Sequence, residues 1–480
     1  MIGSLRPLRT VASASVVAFL LAEPTHAQER YVPETDPLVL AKLEQWQDLK
    51  FGLLMHWGAY SQWGIVESWS ICAEDEGWCR RPTDDYEQYK RDYEKLPETF
   101  DPVDFDPKRW AEAARDAGMR YMVFTTKHHD GFCMFDTRQT DYRVTHESCA
   151  FHDDPRANIT KQLFDAFRAQ QMWIGAYFSK PDWHCNDYWW SNFPTPDRNP
   201  NYDLLEYPDR WQRYVEFTHA QIGELTSEYG PVDILWLDGG WVATMTEEER
   251  KAHIERAGRK HVRFQSQDID MPRLVRDARK NQPGLIVVDR AVPGPHQNYL
   301  TPENRVPAEP IPHPWETCLI SGGGWSWVKD AEYKPARELV HTLIEVVAKG
   351  GNLLLNVAPD ARGRWDDGAY DRLQAIGAWL RVNGEAIYGT RATTPHAEAG
   401  VFFTRHKTEN VRYVILTPED GAMPHRFLVQ SVSPLKTSDV HLLGHDKPLP
   451  WLLREEGGFI VEFPEDPPCE HAYVLRVEVE

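Results

Sequence analysis

Six short apolar runs between residues 51 and 356 each stop in polar or aromatic groups, and this repetition constrains the fold more than any other feature. Residues 51–55 end in His56-Trp57-Gly58, 121–126 in Lys127-His128-His129-Asp130-Gly131, and 174–178 in Ser179-Lys180-Pro181-Asp182-Trp183-His184. Residues 234–237 deliver Asp238-Gly239-Gly240, 285–288 deliver Asp289-Arg290, and 353–355 deliver Asn356. Runs this apolar are buried on both faces, as strands of a parallel sheet are. Helical patterns lie between them. Asp106-Pro107 supplies an N-cap and a first-turn proline ahead of Trp110, Ala113, Ala114 and Ala117. Trp211, Tyr214, Val215, Ile222 and Leu225 trace a second helix, Leu339, Leu343, Val346 and Val347 a third closed by Gly350-Gly351, and Leu373, Ile376 and Leu380 a fourth. Repeated strand-then-helix units predict an α/β fold, a (β/α)8-like barrel over residues 28–390, whose mouth lies at the C-terminal ends of the strands.

Both ends of the chain differ from this middle. Arg6 and Arg9 precede the apolar stretch 11–22, and Thr25-His26-Ala27 offers small residues for cleavage before Gln28, so residues 1–27 are read as a secretory signal peptide. That stretch is too short for a membrane span, which predicts an exported protein: periplasmic or extracellular, or lysosomal in a eukaryote. After residue 390 the texture becomes short alternating runs, 401–405, 411–417, 426–429, 440–443, 459–463 and 472–479, divided by Pro, Gly and Asp. These predict a small C-terminal antiparallel β-sandwich over residues 391–480. A net charge of −20 argues against nucleic acid or acidic surfaces as partners. Seven cysteines cannot all pair within one chain; Cys72 and Cys79 flank the acidic stretch 73–78 either as a loop-closing disulfide or as two thiols. Asn158-Ile159-Thr160 is an N-glycosylation sequon.

Asp238 is the leading candidate for chemistry, a single carboxylate at a strand's C-terminal end with two glycines behind it. The 19 Trp, 19 Tyr and 19 Phe make the chain rich in aromatics, and many tryptophans, among them Trp57, Trp63, Trp69, Trp183, Trp241, Trp325 and Trp327, sit beside turn residues instead of in helical stripes. An indole packs on the C–H face of a sugar ring while His, Asp, Asn and Arg answer its hydroxyls, so this mixture at strand ends suits a carbohydrate. Two carboxylates across such a pocket hydrolyse a glycosidic bond. Beside Asp238, the segment after Arg290 offers Glu303, Glu309 and Glu316, and the residues alone do not rank them.

Five motifs then align in order: Lys50-Phe51-Gly52-Leu53-Leu54-Met55-His56-Trp57-Gly58, His128-His129-Asp130-Gly131-Phe132, Leu235-Trp236-Leu237-Asp238-Gly239, Trp315-Glu316-Thr317-Cys318 and Gly351-Asn352-Leu353-Leu354-Leu355-Asn356. Together, over about residues 35–390, they resemble the α-L-fucosidases of glycoside hydrolase family 29. The resemblance implies a retaining exo-glycosidase acting on terminal α-L-fucosyl residues of glycans, without cofactor or metal. It implies Asp238 as nucleophile, with His56, Trp69, His128, His129, Tyr177, Trp236 and Arg290 lining the fucose subsite. Thr301-Pro302-Glu303 is similar to the motif that bears the acid/base in several members, which makes Glu303 the acid/base and Glu316 the alternative.

Two rivals come from other classes. His128, His129 and Asp130, with Asp182 or His184 from the next strand end, would form a zinc or manganese site for metal-dependent hydrolysis, although neither HxH nor HExxH spacing occurs. A glycosidase for another sugar of fucose-like configuration is the nearer rival. An inactive sugar-binding protein would keep the pocket without turnover, and the presence of Asp238 with nearby Glu candidates argues against it.

Overall fold

A computed structural model describes residues 31–72, 79, 81–257 and 265–480. The leader assigned to residues 1–27 lies outside them, as does the stretch 73–78. The barrel domain runs α1 (Pro37–Leu49), β1 (Phe51–Met55), α2 (Tyr86–Glu94), α3 (Pro107–Asp116), β2 (Tyr121–Lys127), α4 (Ile159–Ala169), β3 (Trp173–Ser179) and α5 (Pro208–Glu228). It continues through β4 (Ile234–Asp238), α6 (Glu247–Ala257), α7 (Met271–Asn281), β5 (Ile286–Asp289), β6 (Glu316–Ile320), α8 (Ala336–Ala348), β7 (Asn352–Asn356) and α9 (Asp367–Asn383). The seven strands form one parallel sheet in the order β5-β4-β3-β2-β1-β7-β6, curled into a barrel-like shell.

The helix starts follow from local chemistry. Asp106 accepts from the N–H groups of Lys108 and Arg109 and Pro107 opens α3, as the sequence predicts; Asp36 and Pro37 do the same for α1, which periodicity did not single out. Asn158 caps α4 through the N–H of Lys161 and donates to the Tyr229 hydroxyl, while Thr160 is fully buried, so the sequon residues have structural work in the fold.

Among the described residues the barrel-like sheet has seven strands, one fewer than a closed eight-stranded barrel. Between β5 and β6 there is no strand-helix unit; an irregular extended segment joins the two sheet edges instead. Asn298 N–H donates to the Val287 carbonyl of β5, and on the other side Glu316 N–H donates to Leu300 O and Cys318 N–H to Pro302 O. Isolated parallel bridges Leu300–Trp315 and Glu303–Cys318 fix this segment beside β6. Hydrogen bonds to two edges substitute for the regular ladder, and the edges are thereby not left open.

Side chains alternate along each strand. Phe51, Leu53, Met122, Phe124, Ile174, Leu235, Val287 and Leu353 pack outward beneath the helices, and Leu54, Val123, Tyr177, Ile234, Trp236, Val288, Cys318 and Leu354 fill the shell. Each such buried aliphatic side chain contributes roughly 1.5–3 kcal/mol.

The C-terminal part begins at β8 (Thr390–Glu398), with β9 (Val401–His406), β10 (Val411–Leu416), β11 (Arg426–Val429), β12 (Val440–Leu442), β13 (Pro448–Leu449), β14 (Trp451–Leu453), β15 (Phe459–Glu462) and β16 (Tyr473–Glu478). A six-stranded antiparallel sheet, β13-β12-β16-β10-β9-β8, and a three-stranded one, β11-β15-β14, share a second core through Phe403, Val414, Val429, Phe459, Val461 and Leu475. The six predicted runs all appear as strands. Proline-containing β8 and β13 did not announce themselves, since proline argues against a strand interior. This sandwich is tied to the barrel by Trp379 Nε1 donating to Ala472 O at 2.9 Å and by Thr404 Oγ1 donating to Ala386 O at 2.8 Å.

Candidate active site

The phase that places Leu54, Trp236, Val288 and Leu354 inside the shell carries His56, Asp238, Arg290 and Asn356, two residues further, to its mouth. There a cavity of about 560 Å³ is lined by Asp238, Glu303, His56, Trp69, His128, His129, Tyr177, Trp236 and Arg290. Every residue that the sequence placed in the pocket reaches it, apart from the alternative Glu316.

Asp238 is held by its neighbours on two sides. Its Oδ2 accepts from the Tyr177 hydroxyl at 2.7 Å and its Oδ1 from Arg290 Nη1 at 3.0 Å, and His129 Nε2 lies 3.7 Å from Oδ2. Burial pushes the carboxyl's pKa up, but Arg290, the Tyr177 hydroxyl and the Gly239 N–H outweigh it and hold Asp238 well below the carboxylate range. Burial also lowers His129 to about 3, so at neutral pH its ring is uncharged and Arg290 supplies the charge that matters. Gly239 turns the chain here at φ 89°, and a Cβ in its place would meet Pro181 Cδ at 2.3 Å.

One guanidinium spans both carboxylates: Arg290 Nη2 donates to Glu303 Oε2 while Nη1 holds Asp238. Trp325 Nε1 donates to Glu303 Oε1 at 3.1 Å. The Glu303 side chain is 42% exposed against 14% for Asp238, which puts Glu303 at the outer rim and Asp238 at the inner wall.

The histidines are fixed by their second nitrogens. The Ser179 hydroxyl spends its one proton on Pro181 O at 2.6 Å, so it accepts from His129 Nδ1 at 2.7 Å. Asn356 donates its amide to Trp325 O at 2.8 Å, so its Oδ1 accepts from His56 Nδ1 at 2.9 Å. In both rings Nε2 therefore carries a lone pair, an acceptor for a sugar hydroxyl. Burial lowers His56 to about 4 and His128 well below the ordinary range, so these rings stay neutral in the pocket.

Glu67, Asn199 and Gln267 also line the cavity and were not predicted there, and with them stand Trp241 and Trp325 from the turn-side tryptophans. Glu67 is 3% exposed, its Oε2 has no hydrogen-bond partner among the described residues, and burial, with Glu303 and Asp238 adding to it, raises its pKa to about 7. Its signal was faint, a lone acidic residue two positions before Trp69. Trp325 follows Gly322-Gly323-Gly324, a run that lets a loop bring an indole close.

Glu316 is elsewhere. It opens β6, so it lies on the floor of the shell, fully buried, accepting from Tyr121 OH at 2.5 Å and Trp236 Nε1 at 3.3 Å. Glu309 lines a separate cavity. The metal cluster first considered is not assembled: Asp130 accepts from Tyr93 OH at 2.7 Å, Asp182 pairs with Lys127 at 3.0 Å, and His184 stacks on Tyr142 at 3.8 Å. His128 and His129 instead come within 4.8 Å of Asp238, whose oxygens Tyr177 and Arg290 already hold.

Arg290 sets the ionisation of Asp238, which yields a direct expectation. Removing a cation raises a neighbouring carboxyl's pKa. In Arg290→Gln the acid limb of kcat/KM, which reports groups of the free enzyme, is expected to move to higher pH; an unmoved limb with normal folding would separate Arg290 from the ionisation of Asp238.

The family model described as alpha-L-fucosidase matches residues 18–385. The chain is 28% identical over 492 residues to human plasma alpha-L-fucosidase, covering 95% of this chain and 94% of that protein. Among solved structures it is similar to alpha-L-fucosidase isoenzyme 1 from Paenibacillus thiaminolyticus, with TM-score 0.72 and 27% identity, over 92% of this chain and 100% of the other. The same fold, at TM-score 0.72 and 21% identity over 95% of this chain and 100% of the other, recurs in a family 29 fucosidase of Bacteroides thetaiotaomicron trapped as a covalent intermediate. With matches along nearly its whole length, the chain belongs to the α-L-fucosidase family, glycoside hydrolase family 29.

Proposed function

We propose that this protein is a retaining, exo-acting α-L-fucosidase in which Asp238 is the nucleophile and Glu303 the acid/base. The observation that carries the reading is the pairing of Asp238 and Glu303 through one guanidinium at the mouth of the pocket. A bridge that short suits carboxyl groups roughly 5–5.5 Å apart, as double displacement requires. The covalent intermediate trapped in the Bacteroides relative supports the same route.

In the first step Asp238 Oδ attacks C1 of the sugar, the C1–O bond breaks, and the Glu303 carboxyl gives its proton to the departing oxygen. In the second, Glu303 carboxylate takes a proton from water as the water oxygen bonds to C1 and the Asp238–C1 bond breaks. The product is free sugar with the starting anomeric configuration, and both carboxyls return to their first states. Tyr177 and Arg290 hold Asp238 ionised for attack. His56 and His129 accept from ring hydroxyls through Nε2, and Trp69 and Trp236 present apolar surface to a 6-deoxy methyl group. Glu303 at the rim faces the aglycone and Asp238 the enclosed sugar, an arrangement for removing one terminal residue.

Hydrolysis of an aryl α-L-fucoside by purified protein, compared with aryl glycosides of L-galactose, D-arabinose and β-D-galactose, tests the substrate class. The α-L-fucoside is expected to give the largest kcat/KM; preference for another sugar would transfer the mechanism to that sugar.

A further inference from the structure

Three arginines form one row across the six-stranded C-terminal sheet. Arg391 of β8 stands opposite Arg405 of β9, and Arg405 opposite Arg412 of β10, so all three share a face. Like charges directly opposite one another destabilise a sheet unless something answers them. Arg391 is answered: it bonds Asp48 Oδ1 at 2.6 Å and also Glu44. Arg405 and Arg412 are not. No described carboxylate pairs with either, Arg412 Nη1 is buried without a hydrogen-bond partner, and the charge felt at Arg412 is that of Arg405.

This row faces a cavity of about 920 Å³ between the sheet and the floor of the barrel. Its other wall is the proline-containing stretch 309–314 that leads into β6, and Lys349-Gly350 that leads into β7. Both precede the N-terminal ends of barrel strands, so the cavity lies on the face opposite the catalytic mouth. Lys349 is engaged by Glu345 at 2.6 Å, and the one carboxylate on the cavity wall, Glu309, is exposed and makes no ion pair. His313, His396, Gln47, Thr393 and Thr394 add to the polar lining. In a chain of net charge −20, two unanswered guanidinium groups in a concave wall are a local reversal of sign.

We propose that this cavity binds an acidic saccharide, with Arg405 and Arg412 holding its sulfate or carboxylate group. Guanidinium forks match such oxyanions with paired hydrogen bonds, and an anion between the two arginines would relieve their repulsion. A bare inorganic ion would leave most of 920 Å³ empty, whereas the proline, threonine and histidine walls accommodate a sugar body. The choice of a saccharide rests on the fucosidase reading; the anion site itself does not.

The test uses the full chain at low ionic strength, titrated calorimetrically with N-acetylglucosamine 6-sulfate, N-acetylglucosamine and inorganic sulfate. The sugar sulfate is expected to bind more tightly than inorganic sulfate by about tenfold or more, the worth of one further hydrogen bond to a charged group, and the neutral sugar not at all. Arg405→Gln with Arg412→Gln should lose this binding, keep kcat/KM on an aryl fucoside, and melt no lower than the parent in anion-free buffer, because the repulsion is gone. Should that variant not fold, Arg412→Lys, which keeps the charge without the fork, should bind more weakly. Inorganic sulfate binding as tightly as the sugar sulfate would overturn the saccharide; unchanged binding in the variants, or a lower melting point without anion, would overturn the site. Loss of fucoside turnover in the parent protein would strike the fucosidase reading and leave the titration intact.

Discussion

Asp238→Ala is expected to lower turnover of every α-L-fucoside, activated or natural, by on the order of 10⁴-fold, the scale on which a nucleophile's removal acts. No other group replaces it. Glu67 is the nearest buried carboxyl in the cavity, but its raised pKa keeps it protonated below about pH 7, and a neutral carboxyl is a poor nucleophile. Glu303 faces the rim. The loss should therefore be independent of the leaving group, since glycosylation itself is blocked. Added azide should restore some turnover by attacking C1 once, which yields the inverted β-fucosyl azide. Kinetics with an aryl fucoside, alongside circular dichroism to confirm folding, measure this; activity within tenfold of the parent enzyme would remove Asp238 from the reaction.

Glu303→Ala should fail in a different way. Protonation of the departing oxygen matters most for poor leaving groups, so natural fucosides are expected to lose about 10²–10⁴-fold, while activated aryl fucosides still form the intermediate. Without the base, hydrolysis of that intermediate becomes slow. Azide needs no base, so it should accelerate turnover and give the α-fucosyl azide, retained because two displacements have occurred. A leaving-group-independent loss, or a β-azide product, would move the acid/base elsewhere. Glu316 is a poor substitute, since its carboxyl is fixed on the floor by Tyr121 and Trp236.

The strands were legible because a strand buried on both faces needs no alternation and stands out as an unbroken apolar run. The mouth was legible for the same reason: whatever ends such a run in a parallel shell lies at the site, which placed His56, Asp238 and Arg290 together from residues far apart in sequence. What was not legible depends on contacts between distant segments. Residues 298–304 have no strand pattern; their course is set by hydrogen bonds to β5 on one side and β6 on the other, and only that course brings Glu303 to Arg290. Glu67 was hidden because its place in the cavity depends on burial by distant segments. Where an eight-unit barrel would place one more strand and helix, the chain uses an irregular segment that carries Glu303 to the cavity. Glu316 could have been separated from Glu303 by strand direction, since a residue that begins a parallel strand belongs to the floor.

The arginine row shows the converse limit. Arg391, Arg405 and Arg412 are unremarkable in sequence, each in its own strand, and become neighbours only through antiparallel register.

Double displacement requires that Asp238 bond covalently to the sugar. Incubating the protein with a 2-fluoro-fucosyl fluoride, whose 2-fluorine slows both displacements while its good fluoride leaving group keeps formation of the intermediate faster than hydrolysis, should add the mass of one fluorofucosyl group. Peptide mapping by tandem mass spectrometry should then place that group on Asp238; a label on Glu303 or Glu67, with Asp238 unmodified, would contradict the mechanism.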